Sequence, residues 1–92
     1  MEHKRLLKLR SRIDAIDFEI LAMLSKRMRI SGMIGIFKEK QELPVVDKRR
    51  WKELIETRVR RGAGGGLSSG FVRALFARIH KESTAVQKSK RA

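Results

Sequence analysis

The sequence contains no cysteine, which excludes disulfides and thiolate-bound metal. It has a single proline, Pro44, and therefore one imposed break in any helical pattern. No apolar run approaches the roughly 18 residues of a membrane span. The opening MEHKRLLKLR also lacks the apolar block of a secretory leader. No membrane role is expected, and the expected location is the cytoplasm. Acidic residues are scarce as well: 10 Asp+Glu against 23 Lys+Arg leave a formal charge of +13. Such a surplus attracts polyanions and small anionic metabolites alike, so nucleic acid has to be weighed as a partner. Strand-like alternation and internal repeats are missing too.

What is present is helical periodicity. Hydrophobic residues make up 41% of 92 residues, enough for one small domain. Its core is expected over about 6–87, with a basic tail at 88–92. Leu6, Leu9, Ile13, Ile16, Ile20 and Met23, then Ile30, Ile34 and Phe37, recur at steps of three and four. That spacing predicts one amphipathic helix from about Leu6 to Lys40, roughly 50 Å long at 1.5 Å per residue. A chain this short has a radius of gyration of only about 12 Å when compact. The rod therefore implies a partner copy. Gly32 and Gly35 within it point to close approach of another helix or a ligand.

QELPVVD reads as a connector, with Asp47 as N-cap of a second helix over Lys48 to about Arg61. Trp51, Leu54, Ile55 and Val59 face inward on that reading. GAGGG stops this helix, and Ser68 caps a third, with Leu67 and Val72 at staple spacing. The third seam runs Val72, Phe76, Ile79, Ser83, then Val86 or Gln87. The fold class is all-α, with three helices per chain.

Two seams carry polar residues. Arg27 stands where the first seam calls for an apolar side chain, and burying a lone guanidinium is costly unless an anion answers it. Lys38 follows eleven residues later, close to three turns and about 16 Å on, pointing nearly the same way. The two can grip a small anion between them. Arg10 lies about 25 Å from Arg27 along the axis and reaches such a ligand only from an antiparallel partner. Arg50 adds a cation beside a helix N-terminus, itself favourable for anions. On the third helix the stripe turns polar at Ser83 and Gln87, one turn apart. Solvent exposure of these polar residues is the plain alternative.

Catalytic motifs of other kinds are missing. His3 and His80 lack metal-ligand spacing, so no metal is expected. No nucleophile–base pair stands out, and GAGGG lacks the Gly-Lys-Ser/Thr ending of a phosphate-binding loop.

Four stretches, LRSRIDAIDFEILAMLSKRMRIS, IGIFK, LPVVDKRRW and GLSSGFVRALFARIHKESTAVQ, together resemble the all-helical (AroQ-type) chorismate mutases in order and spacing. The resemblance covers about Leu6 to Gln87. It implies an intertwined homodimer with shared active sites, using no cofactor. It also implies conversion of chorismate to prephenate, a shikimate-pathway step toward phenylalanine and tyrosine. The family's domain also occurs fused to other enzymes of that pathway. The resemblance casts Arg10 as the arginine supplied across the dimer and Arg27 as a carboxylate ligand. Lys38 and Gln87 fall at the ether oxygen, Arg50 and Ser83 at further substrate contacts. Asp47 is the residue whose backbone helps hold the ring hydroxyl. One position departs: well-studied members carry a glutamate facing that hydroxyl, and this sequence has Trp51 among the substrate-binding positions.

Alternatives remain. An isochorismate pyruvate-lyase or an aminodeoxychorismate mutase would use a similar cationic pocket. A non-catalytic, ligand-sensing domain would bind without turnover. A basic nucleic-acid-binding dimer would spread its cations over an outer face, with a steep salt dependence.

Overall fold

Three helices make up the described chain, residues 2–90 of a computed structural model: α1 (Glu2–Lys40), α2 (Lys48–Gly64) and α3 (Ser69–Ser89). No strand occurs among the described residues, so the all-α expectation holds. None of these helices is long and apolar enough to cross a membrane. Contacts divide the chain into two units, one up to Ile30 and one from Ser31 onward.

In the first unit α1 runs without a break. The residues of its predicted seam from Leu6 to Met23 remain between 43% and 61% exposed. Arg10 is exposed and Arg27 is half-buried.

The second unit holds the last part of α1 and all of α2 and α3. Helix α1 ends in a pair of bonds that reverse the chain: Leu43 N–H donates to the Lys38 carbonyl at 2.7 Å and Glu42 N–H to that of Glu39 at 3.1 Å. This six-to-one, five-to-two pattern requires a left-handed residue just past the helix. Glu42 fills that place with φ 56°, where glycine is usual. The sequence offers no glycine there to reveal it.

Helix α2 starts where Asp47 accepts a bond from Arg50 N–H at 3.0 Å. It continues to Gly64, three residues past the expected end. The physical reason is packing: a methyl group on Gly62 would stand 2.7 Å from Val72 Cγ2 and 3.6 Å from Leu67 Cβ. Gly62 thus admits α3 against α2 rather than breaking the helix. The reversal follows at Gly66, with φ 84°. Leu67 N–H then bonds the Gly62 carbonyl at 2.9 Å and Gly66 N–H that of Ala63 at 3.1 Å. Ser68 caps α3 by accepting from Phe71 N–H at 3.4 Å.

Helices α2 and α3 pack on each other as a hairpin around Leu54 and Val72, which are 5% and 2% exposed. Helix α3 continues through Ser89, so the first two residues of the basic tail are helical. Arg91 and Ala92 lie outside the described residues.

Candidate active site

The polar positions on the α3 stripe are among the best-buried residues of the protein. Ser83 is 6% exposed and Gln87 9%, so neither faces water. What buries Gln87 is Gly35 of α1. A methyl group at Gly35 would stand 2.7 Å from both the Cα and the carbonyl oxygen of Gln87. Only the missing side chain lets the helices approach so closely. One α1 turn earlier, Gly32 faces the side chains of Val86 and Lys90.

That approach sets Lys38 beside Gln87. The Lys38 ammonium donates to Gln87 Oε1 at 3.1 Å and to the Val45 carbonyl at 2.8 Å. Two of its three N–H donors are thereby engaged, and the third bonds no other described residue. The bond to Oε1 also orients the amide. The Gln87 NH2 carries two donors, neither of which bonds another described residue. An ammonium and an amide are thus held side by side, both with donors to spare.

One α3 turn before Gln87, Ser83 Oγ meets Ser31 Oγ of α1 at 2.5 Å. One further turn back, the His80 ring stacks on Trp51 of α2, with centroids 4.4 Å apart and planes at 29°. His80, Ser83 and Gln87 share one face of α3 by their spacing of three and four. Each reaches a different residue of α1 or α2. Trp51 lies in the first turn of α2 with Arg50, directly after the Asp47 cap, and is half-buried, whereas Arg50 and Asp47 are exposed.

Of the residues expected from the sequence, the second unit thus brings Lys38 to Gln87 and buries Ser83 with it. Asp47, Arg50 and Trp51 follow one another at the start of α2. Arg10 and Arg27 belong to the first unit. Three participants were not foreseen. Ser31 carried no signal beyond its position one turn after Arg27. The Val45 carbonyl is backbone. His80 lacks metal-ligand spacing, and the contact it makes here is between rings.

A separate cavity of about 330 Å³ opens between the end of α2 and the start of α3, lined by Arg58, Arg61, Gly62, Leu67, Val72, Leu75 and Phe76. It contains none of the expected site residues, and its lining is mainly apolar. It is therefore a packing feature of the hairpin rather than a candidate reaction site.

The arrangement is an all-helical scaffold in which a half-buried lysine of α1 meets buried polar side chains of α3. The chain belongs to the chorismate mutase type II family, whose model matches residues 9–88. It is 35% identical over 83 residues to the bifunctional chorismate mutase/prephenate dehydratase of Buchnera aphidicola, covering 90% of this chain and 22% of that protein. It is 31% identical over 84 residues to the protein of the same name from Escherichia coli K12, covering 91% and 22%. The T-protein of Haemophilus influenzae is 28% identical over 77 residues, covering 84% and 20%. The chain thus spans about a fifth of the length of these curated relatives.

Proposed function

We propose that the chain converts chorismate to prephenate by a [3,3] rearrangement, without cofactor, as a homodimer with shared sites. The observation that carries this reading is the Lys38–Gln87 pair. In the rearrangement the ether C–O bond breaks as a C–C bond forms, so electrons and atoms balance within one molecule. No nucleophile or proton acceptor is required. The protein must hold the chair-like conformer and stabilise charge on the ether oxygen. Lys38 and Gln87 offer adjacent donors for that oxygen. Arg27, Arg50 and Ser83 serve the two carboxylates, and Asp47 and Trp51 border the ring. Arg10 of the partner subunit completes the site. The exposed seam of α1 supports the dimer, since a row of apolar residues from Leu6 to Met23 is left for a second chain to cover.

The test is the loss of chorismate absorbance with purified protein, followed by product identification. Prephenate is the expected product. Pyruvate with a salicylate-type product, or no turnover at all, would overturn the reading.

A further inference from the structure

We infer that Ser31 is a positioning residue for this reaction, fixing the direction in which Ser83 offers its proton to a substrate carboxylate. The inference rests on the chorismate reading and deepens it. The Ser31 and Ser83 hydroxyls lie 2.5 Å apart, and the two residues are 5% and 6% exposed. A serine in a helix ordinarily returns its hydroxyl to a carbonyl of the preceding turn. Ser31 instead crosses from α1 to α3.

Counting hydrogens gives the consequence. Two hydroxyls carry two O–H donors, and the bond between them uses one. The other is buried and bonds no acceptor among the described residues. A buried donor left unmet is costly, so the pair is matched to an acceptor supplied from outside the protein. Were Ser83 the donor, the spare O–H would sit on Ser31 at the junction of α1 and α3. With Ser31 as donor, the spare O–H sits on Ser83. That residue is one turn from Gln87, on the face that carries the spare amide donors. The neighbouring groups are donors or cations, so the acceptor that fits is anionic. A carboxylate of a small dicarboxylate meets that requirement.

The experiment is a double-mutant cycle read on prephenate binding by calorimetry and on chorismate kinetics. Ser83→Ala should weaken binding about 10- to 100-fold, the range of a hydrogen bond to a charged group. Ser31→Ala should weaken it about 3- to 10-fold, chiefly in KM. In the Ser83→Ala background, the Ser31→Ala change should cost less than about twofold. Ser31→Thr and Ser31→Val are equal in shape and differ in the hydroxyl. The threonine variant should bind at least about threefold more tightly. Multiplying losses in the cycle, or equal binding by the threonine and valine variants, would overturn the positioning role. So would a lowered melting point with binding intact. Turnover by the unmodified protein separates the two failures: without it the chorismate reading falls, and with it only the serine pair does.

Discussion

Lys38 and Gln87 meet across α1 and α3, with Nζ 3.1 Å from Oε1, while the same ammonium holds the Val45 carbonyl at 2.8 Å. The Lys38 backbone carbonyl also receives Leu43 N–H at 2.7 Å. One residue therefore ties α3 and the folded-back connector to the end of α1. A cation so fixed needs little reorganisation when charge develops beside it, which is the condition for transition-state stabilisation.

Lys38→Ala should lower turnover by about 10² to 10³, equivalent to roughly 2.7 to 4 kcal/mol, the usual cost of one such donor. Helicity by circular dichroism should be kept. Arginine should rescue poorly, because its flat fork cannot reproduce the compact ammonium between Val45 and Gln87. Retention of more than about a tenth of wild-type turnover would remove Lys38 from the reacting centre.

Gly35→Ala should destabilise the protein by about 1 to 3 kcal/mol, since the new methyl group meets the backbone of Gln87. The melting midpoint should fall by about 4 °C or more. Gly32→Ala is the contrast. Its nearest neighbour is the flexible Lys90 side chain at 3.4 Å, and alanine favours helix by about 1 kcal/mol. Equal melting points for the two variants would contradict the close approach at Gly35.

Trp51 is the only tryptophan, so fluorescence reports directly on its stack with His80. Trp51→Glu should leave helicity intact and change chorismate binding more than binding of an analogue without the ring hydroxyl. A carboxylate can accept from that hydroxyl, whereas an indole face cannot. The same change for both ligands would place Trp51 away from the hydroxyl.

Mixing Arg10→Ala and Arg27→Ala chains, each nearly inactive alone, should restore part of the activity. On the proposed shared-site dimer, one of the hybrid's two sites keeps both arginines. Subunit exchange can be verified by mass spectrometry. A mixture as inactive as its parents, after exchange, would rule out the shared site.

Glu42→Gly should stabilise the protein by about 1 kcal/mol, because a left-handed residue with a side chain is strained there and glycine is not. Thermal denaturation would show it, and a lower midpoint would contradict the strain.

Much of this was written in periodicity and punctuation. The recurrence of apolar residues, Pro44 and the caps at Asp47 and Ser68 determine three helices, the end of α1 and the starts of α2 and α3, because these signals act within a few residues. Ser83 and Gln87 on the apolar stripe of α3, and Lys38 three turns after Arg27, were legible for the same reason. Whether they faced water or each other was not. Ser83 and Gln87 have the same spacing on a solvated face as on a buried one. Tertiary packing decided it, through Gly35, whose lack of a side chain brings α3 onto α1 and closes water away from Gln87. The Ser31–Ser83 bond, the Trp51–His80 stack and the Val45 carbonyl are likewise products of packing. They join residues far apart in the chain, or use backbone atoms that every residue carries. The left-handed turn at Glu42 was hidden because local strain there is held by the connector's bonds to α1 rather than relieved by a glycine.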